Sequence, residues 1–401
     1  MRANKNPQAH QNKERLNEPL TNRLSQYWDT IQGTLFPWLE EEIDPLTEKQ
    51  QQLITILELV RIEQFLPDCR GCEGRPPKTR AAIARSFVAK MVYNLDTTTF
   101  LLERLKTDKN LRRICGWETR AELPSESTFS RAFAEFSNSG LPQRVHEALI
   151  KKALSNEIIS HNSRDSTAIE AREKALLKSR SAQDELSAEN QKRRGRPKKG
   201  EERPAPKPTR IEKQKTMSLE EMLNDLPNGC DKGAKKDSKG NTMYWTGYKL
   251  HLDTIDGGIP VSAIVTSASV HDSQVAIPLA TLTAGRITNL YDLMDSAYDI
   301  PAIIEHSKIL GHVPLVDRNP RRNKELQQEL EAEAKARKAL NWNPAEDKRY
   351  NVRTTAERVN SRLKDEFGAC KVRVRGHLKV ACHLMFGVLV LAADQLMRLV
   401  T

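Results

Sequence analysis

Four polar side chains recur at helical spacing along residues 349–368, RYNVRTTAERVNSRLKDEFG. They are Tyr350, Arg353, Glu357 and Lys364. On a helix that turns about 100° per residue, they fall within about 60° of one another, and the apolar residues of the segment lie on the far side. An aromatic ring, a guanidinium, a carboxylate and an ammonium in one stripe suit a substrate with phosphates and a divalent metal ion. A solvated face with spaced ion pairs is the commoner use of such a stripe, so the stripe alone does not establish a site.

A carboxylate follows directly on the apolar run LYDLM, residues 290–294. Ligand sites of parallel sheets lie at the carboxyl ends of the strands, which is where Asp295 stands. Asp292 lies on the opposite face of a strand with a period of two residues. Asp299 stands at the start of the next helix and is expected to cap it. Asp295 is therefore the best candidate for a site carboxylate on this strand.

A two-metal phosphoryl-transfer site needs more than one carboxylate. Glu357 offers the second, from the polar stripe. The candidate for a third is Asp165, in the weakly apolar segment ISHNSRDSTAIEAR. Spacing alone does not rank Asp165 above Glu157 or Glu170.

The elements around these carboxylates predict an α/β architecture. YWTGYKLHLDT and IPVSAIVTSA, on either side of Gly257 and Gly258, predict a hairpin of two strands. Further along, an apolar strand, a helix that ends at Gly311 and a second short apolar strand predict a parallel crossover. Helices expected at residues 272–285, 321–340 and 377–400 would cover the sheet.

Residues 24–155 carry apolar side chains at spacings of three and four, which predicts several short helices. In ELPSESTFSRAFAEFSNSG, residues 122–140, three phenylalanines face inward and polar side chains face outward. The outward set is Ser127, Thr128, Ser130 and Arg131. This pattern is typical of the recognition helix of a helix-turn-helix unit. A plain helical bundle explains it equally well.

Residues 170–240 are charged and contain several prolines, with too little apolar periodicity for a core. They predict a linker or a basic flexible insertion. Within QKRRGRPKKG, Arg194 and Arg196 belong to an extended RGRP segment that is narrow enough for the minor groove of A·T-rich DNA. A run of charges that only aids solubility is an equal alternative.

The composition favours a polyanionic partner. Lys and Arg total 64 against 53 acidic residues, for a net charge of +11 in 401 residues. Nucleic acid is the leading partner class, ahead of an acidic membrane surface. The N-terminus has no apolar segment like that of a secretory signal, and the longest apolar stretch, GVLVLAA at residues 387–393, is too short to span a bilayer. We therefore expect a soluble intracellular protein with no membrane partner.

Six cysteines at scattered positions do not form the dense framework of a small disulfide-bonded domain. Cys69 and Cys72 make one CxxC pair, but a structural zinc site needs four ligands. The sequence offers no second CxxC or HxxxH pair. The pattern therefore argues against zinc.

The stripe resembles a known signature. Tyr350, two residues, Arg353, three residues, Glu357, six residues and Lys364 match the YREK signature of bacterial insertion-sequence DDE transposases without a gap. The blocks RDSTAI, GYKLHL, TSASVHDS and LMDSAYD resemble those of the family's catalytic domain, in the same order. RSFVAKMVY, LRRICGW and PSESTFSRAF resemble the helical domain that precedes it. The resemblance covers most of the chain from residue 80 onward.

The resemblance implies an RNase H-like mixed sheet flanked by helices, preceded by an all-α N-terminal DNA-binding domain. It implies that Asp165, Asp295 and Glu357 are catalytic and bind two Mg²⁺ ions, for which Mn²⁺ can substitute. It also implies that Tyr350 and Arg353 contact the DNA of the transposon end and that Lys364 binds a terminal phosphate. Hard carboxylate oxygens agree with these metals. Asn360 lies beside the stripe, where it can touch the DNA backbone.

The domain boundaries expected from these observations are residues 1–155 for the helical DNA-binding domain and 156–401 for the catalytic domain, interrupted by the insertion at 170–240. The expected function is a transposase that binds the inverted-repeat ends of its element, cleaves the DNA and joins the 3′ ends to target DNA. Pairing of two ends predicts a homodimer on double-stranded DNA, in the bacterial cytoplasm and associated with the nucleoid. The alternatives are a DNA-binding regulator without catalysis, and an RNase H-fold nuclease that cleaves but never joins strands.

Overall fold

Helices form the N-terminal part of the structure. The computed structural model describes residues 45–67, 79–176, 208–236, 240–321, 323–342 and 344–399. Within these ranges, six α-helices precede the first strand: α1 (Glu48–Val60), α2 (Arg80–Val92), α3 (Thr98–Thr107), α4 (Lys109–Ile114), α5 (Glu126–Asn138) and α6 (Leu141–Leu154). On α5 the phenylalanines Phe129, Phe133 and Phe136 are buried, as their spacing predicts. The outer face of α5 therefore carries the polar set that the sequence assigns to recognition.

Six strands of the described chain form one mixed sheet. They are β1 (Ile158–Glu170), β2 (Asp231–Lys236), β3 (Thr242–Ile255), β4 (Ile259–Ser267), β5 (Thr288–Met294) and β6 (Val313–Val316). Their order is β2-β3-β1-β5-β6, and β4 pairs with β3. β3 runs antiparallel to β1, β2 and β4, whereas β1, β5 and β6 are parallel. The predicted α/β class with a mixed sheet is confirmed.

Two local patterns set most of this topology. β3 and β4 form the predicted hairpin, and its turn uses Gly257 and Gly258 at φ +79° and +76°, a left-handed conformation that glycine adopts without steric strain. Three short helices precede β5 in the chain: α7 (Arg210–Gln214), α8 (Leu219–Asp225) and α9 (Ala276–Ala284). The next helix, α10 (Pro301–Ile309), joins β5 to β6. The parallel pairing of β1 with β5 places the carboxyl ends of these two strands at the same edge of the sheet.

The C-terminal helices complete the fold: α11 (Lys324–Ala339), α12 (Ala345–Tyr350), α13 (Thr354–Asp365) and α14 (His377–Arg398). The polar stripe was expected on one continuous helix. Instead, a 3₁₀ turn at Asn351–Arg353 separates α12 from α13, so Tyr350 and Glu357 lie on different helices. The helical wheel therefore places only Glu357 and Lys364 correctly relative to each other.

α14 joins the helical part to the sheet. It packs against α6, β4, α2 and α5, and Phe386 lies 5.8 Å from Phe87 on α2, measured between ring centroids. Its 22 residues are long and apolar enough to cross a membrane, but most of this helix is buried inside the protein. The apolar side chains of α14 belong to a continuous hydrophobic core that extends from the N-terminal helices to β4.

Residues 208–236, the last part of the predicted insertion, contain α7, α8 and β2. Thr209 and Ser218 each begin a helix with a capping box, in which a glutamate three residues later bonds back to the cap. β2 then pairs with the N-terminal half of β3. The sequence analysis did not predict these elements. Arg194 and Arg196, and the pair Cys69 and Cys72, lie outside the described residues.

Three buried histidines make the stability of the fold sensitive to acid. Burial lowers the pKa of His146 and His383 to about 3 and that of His251 to about 4. The unfolded chain binds these protons near pH 6.5 and the folded chain does not, so this stability is present above pH 6.5 and lost as the pH falls. We expect the free energy of unfolding to fall by roughly 3 kcal/mol between pH 6 and pH 5.

Urea titrations at several pH values test this expectation. The substitution His383→Gln removes one of the three groups, and the amide nitrogen of Gln lies close to the position of Nε2, so it can still donate a hydrogen bond to the carbonyl oxygen of Gly368. It should reduce the dependence on pH by about one third. A free energy of unfolding that stays constant from pH 7 to pH 5 would contradict the assignment of neutral, buried histidines.

Candidate active site

Asp165 and Asp295 lie on neighbouring parallel strands. Asp165 is on β1, which pairs with β5 up to Ser163 and Leu293. Two residues further along, Asp165 lies within β1 and Asp295 directly follows the end of β5, so the two aspartates stand at equivalent positions of the neighbouring chain segments. Adjacent strands are about 4.8 Å apart, so the two carboxylates are neighbours in space. Glu157 and Glu170, the alternatives that spacing could not exclude, stand at or beyond the ends of β1.

Both aspartates are held in a poorly solvated, acidic environment. Burial raises the pKa of Asp165, and Asp295 raises it further. Burial also raises the pKa of Asp295, with a contribution from Asp272. Asp295 accepts a hydrogen bond from the backbone N–H of Ala297 at 2.9 Å and so caps the 3₁₀ turn Ser296–Tyr298. Partly buried carboxylates that repel each other are stabilised by a bound cation.

Asp299 does not cap the following helix, as the sequence analysis expected. α10 begins at Pro301, and the residue before it, Ile300, has no capping side chain. The carboxylate of Asp299 instead accepts the backbone N–H of Asn319 at 2.9 Å, in the loop after β6. Because proline has no N–H to satisfy, the first turn of α10 needs less capping.

α13, the helix that carries Glu357, packs against β1 next to Asp165. The side-chain amide of Asn360, one turn after Glu357, donates a hydrogen bond to Oδ2 of Asp165 at 2.9 Å. Nη2 of Arg353 lies 3.0 Å from Oε1 of Glu357. Burial alone would lower the pKa of Arg353, but Tyr350 and the carboxylates of Asp165, Glu357 and Asp295 together raise it. One guanidinium is thus within electrostatic reach of all three predicted acids.

The remaining stripe residues border this acidic centre. The hydroxyl of Tyr350 donates to Oδ2 of Asp317 at 2.6 Å, and the guanidinium of Arg353 lies 5.8 Å from the centre of the tyrosine ring. Burial lowers the pKa of Lys364, and the nearby charge of Lys235 lowers it further. Tyr350 precedes Glu357 in the chain and Lys364 follows it, and the charge of Asp295 acts on Tyr350.

The donor chemistry fits a hard divalent cation. Carboxylate oxygens are the preferred ligands of Mg²⁺ and Mn²⁺. Within the described ranges, no three acidic, histidine or cysteine side chains converge closely enough to hold an ion. Glu357 is paired with Arg353, and its side chain is 55% exposed. Rotation of this exposed side chain away from Arg353 is what would bring Glu357 toward the aspartates.

Asp272 and Lys235, two charged residues outside the predicted ligand set, lie close to the site; the sequence allowed Asp272 a supporting role there or that of a helix cap, and it did not single out Lys235. Asp272 raises the pKa of Asp295, which follows the end of β5. Nζ of Lys249 lies 3.0 Å from Asp272. Lys235 on β2 lowers the pKa of both Asp165 and Asp295, although burial dominates and raises each one. The SVHDS block was a signal for Asp272, whereas nothing local distinguishes Lys235 from its neighbouring lysines.

A buried ion pair supports β1 beneath the site. The guanidinium of Arg164, the residue before Asp165, donates from Nε and Nη2 to the two carboxylate oxygens of Asp253, at 2.8 Å each. Thr283 and Asn162 donate to the same carboxylate at 2.7 and 3.1 Å. Arg164 and Asp253 are both almost fully buried. This pair fixes the backbone that presents Asp165.

Two other predicted DNA contacts have different positions. Arg131 is exposed on α5 with Ser127 and Ser130, as expected for a recognition face, and its guanidinium bonds locally to Ser127. Asn360 is only 6% exposed and its amide is bonded to Asp165. The geometry therefore favours positioning of Asp165 by Asn360 over the predicted contact with the DNA backbone.

Comparison with known families agrees with this arrangement. Residues 165–392, more than half of the chain, match the family model described as Transposase DDE domain. The chain belongs to the DDE transposases. In the transposase, residues 39–135 also match a model described as Transposase domain (DUF772). The DDE domain has an RNase H-like fold, as predicted, and the family uses divalent metal ions. Neither the curated proteins nor the solved structures gave a match.

Proposed function

We propose that this transposase binds the inverted-repeat ends of its insertion sequence, cleaves the DNA and joins the 3′ ends to target DNA. The observation that carries the proposal is the contact of α13 with β1. The hydrogen bond from Asn360 to Asp165 places the helix of Glu357 against the strand that carries the first aspartate. Arg353 then lies among all three carboxylates. Acidic residues from three separate parts of the sequence thus share one electrostatic centre.

Asp165, Asp295 and Glu357 are the residues proposed to hold two Mg²⁺ ions, with Mn²⁺ as a substitute. Two such ions, when bound, activate a water or a 3′-hydroxyl and stabilise the leaving oxygen of an in-line displacement at phosphorus. The chain itself presents the carboxylates on a rigid sheet edge and holds Asp165 through Asn360. Arg353 balances the charge of the acids and is placed to pair with DNA phosphate once Glu357 turns away.

DNA contacts are proposed on both sides of the acids. Tyr350 offers a ring for base stacking, and Arg353 and Lys364 offer phosphate contacts. Arg131 on the exposed face of α5, and Arg194 and Arg196 of the basic segment, would add contacts farther from the cleavage point. This assigns DNA binding mainly to residues 1–155 and catalysis to residues 156–401, with 170–240 as an insertion that carries basic residues.

The proposal extends to assembly and place of action. Joining two ends of one element requires two active sites, so we propose a homodimer on DNA. Its substrates are the transposon ends and the target duplex. The proposed place of action is the bacterial cytoplasm, at the nucleoid.

A strand-transfer assay tests this function. A labelled duplex from the end of the element is incubated with the protein, a target plasmid and Mg²⁺, and the products are separated by size. We expect cleavage at the end and transfer of label to the plasmid, both abolished by EDTA. Binding without cleavage would instead indicate a regulator. Cleavage without joined product would indicate a nuclease.

The substitution Asn360→Ala tests how Asp165 is positioned. Loss of the hydrogen bond to Asp165 should lower the rate of cleavage by about 10- to 100-fold, as for other residues that orient metal ligands. The free energy of unfolding should change by only about 1 kcal/mol. Asn351→Ala, on the exposed 3₁₀ turn, is the control and should cleave normally. Equal rates for both variants would exclude a positioning role for Asn360.

A further inference from the structure

A basic cavity lies between the helical part and the catalytic part of the chain. Its volume is about 320 Å³. α2 and α5 form one wall, through Lys90 and Ser130 among others. Arg172, two residues after β1, the segment 373–375 and the first turns of α14 form the other wall. The acidic centre and this cavity are therefore separate sites connected by β1.

Positive charge dominates the lining. Among the described residues, five cationic side chains and no carboxylate border the cavity: Lys90, Arg172, Arg373, Arg375 and Lys379. In the part of the chain that the structure describes, no salt bridge links any of the five to an acidic residue. Asp96, the acidic residue nearest to Lys90, is instead 3.0 Å from Nζ of Lys371. The lining thus has a surplus of positive charge that the acidic residues of the described ranges do not neutralise.

Lys90 is the most informative of these residues. It is only 5% exposed, and burial lowers the pKa of its ammonium to about 8. His383, which also borders the cavity, is neutral because burial lowers its pKa to about 3. A buried ammonium without an ion-pair partner is unfavourable for stability. Its position on the cavity wall indicates that an anion from outside the chain compensates it.

We propose that this basic cavity binds phosphates of the DNA backbone. The inference rests on the proposed function and adds to it a second DNA-binding site. Four of the five cationic side chains are exposed, so they can contact successive phosphates of a polymer that lies across the opening of the cavity. Ser130 connects the cavity to the face of α5 that carries Arg131. Lys364 lies near Glu170, at the end of β1 that leads to Arg172, and so continues the basic path toward the acids.

The length of β1 gives the spacing of the two sites. Arg172 follows Asp165 by seven residues, which is about 23 Å in extended chain. B-DNA rises about 3.4 Å per base pair, so the cavity would contact phosphates about seven base pairs from the reacting phosphate. A free phosphorylated ligand offers the same chemical group. The experiment must therefore separate DNA from a small phosphate.

Fluorescence anisotropy with a labelled duplex of random sequence tests the proposal on the full-length protein. The double substitution Arg373→Gln/Arg375→Gln should weaken binding by at least about 10-fold at physiological salt and make the dependence of log affinity on log salt shallower by about 1 to 2. The control is Lys308→Gln/Lys335→Gln, two exposed lysines on α10 and α11, outside the segments to which DNA binding is assigned. This control should bind like the unsubstituted protein.

Lys90→Met adds a readout that a structural role would not give. Because it removes a buried charge, it should raise the temperature of unfolding while it weakens DNA binding. Equal affinity of the arginine double variant and the control would overturn the proposal. Calorimetry with inorganic phosphate gives the other contrary result: tight phosphate binding that the double variant loses, at unchanged DNA affinity, would assign the cavity to a small ligand.

Failure of the proposed function would look different. The cavity variants should still cleave end DNA with Mg²⁺ when the DNA is saturating, since they leave the acids intact. If the unsubstituted protein binds DNA but never cleaves it, the transposition proposal fails. The comparison of affinities would then still support or reject the cavity by itself.

Discussion

Asp295→Asn is expected to reduce Mg²⁺-dependent cleavage of end DNA by a factor on the order of 10³, with DNA binding nearly unchanged. Asparagine has the same shape as aspartate, and its oxygen can still accept the N–H of Ala297, so the cap of the 3₁₀ turn remains. What is lost is the negative charge beside Asp165. Cleavage rates at saturating DNA and affinities by anisotropy measure the two effects separately.

The matched control for this variant is Asp299→Asn. Asp299 is four residues further along, and its carboxylate accepts a backbone N–H in a loop. Its conversion to an amide should leave cleavage within a few-fold of normal. Normal cleavage by Asp295→Asn would contradict the role assigned to Asp295. A parallel loss of cleavage, DNA binding and thermal stability would show instead that Asp295 serves the fold.

Asp253→Ala is expected to produce the largest loss of stability, about 3–5 kcal/mol in the free energy of unfolding. It leaves the guanidinium of Arg164 buried without its carboxylate, and it removes the acceptor of Thr283. The cost of an unpaired buried charge exceeds that of a lost surface contact. Urea unfolding of the variant measures the effect. Cleavage should also decline, because the Arg164–Asp253 pair supports the part of β1 that presents Asp165.

Two further variants make this prediction specific. Asp256→Ala removes a partly exposed carboxylate that pairs with His161, and should change stability by at most about 1 kcal/mol. The double variant Arg164→Met/Asp253→Leu removes both buried charges and should recover most of the stability that Asp253→Ala loses. If the two single alanine variants lose equal stability, the buried pair does not have the proposed importance.

Local patterns were enough to predict the parts of the fold that position Asp295. The hairpin of β3 and β4 follows from alternation around Gly257 and Gly258, and the crossover from β5 to β6 follows from two apolar runs and a helix. Both depend on contacts near in sequence. Asp295 could be chosen from the residues alone because it directly follows an apolar strand.

Asp165 could not be chosen in this way, because β1 is not an apolar strand. Its polar residues bond to groups far away in the chain, as Arg164 does to Asp253, so their burial leaves no periodic trace in the sequence. The resemblance to the transposase family supplied the choice. β2 escaped prediction for a similar reason, since its strand conformation depends on pairing with β3.

The break between α12 and α13 and the role of Asn360 also depend on tertiary contacts. A helical wheel treats residues 349–368 as one helix. In the structure, the hydroxyl of Tyr350 donates a hydrogen bond to Asp317, and the chain makes a 3₁₀ turn before α13. Asn360 appeared to be a surface neighbour of the stripe. Its burial against Asp165 becomes visible only when α13 is packed on β1.

Anomalous diffraction from crystals of the protein grown with end DNA and Mn²⁺ tests the central claim most directly. Convergence of the three carboxylates predicts two manganese peaks about 3.5–4 Å apart, contacted by Asp165, Asp295 and Glu357. Peaks bound elsewhere, or a Glu357 that stays paired with Arg353 while the aspartates bind no ion, would contradict the account.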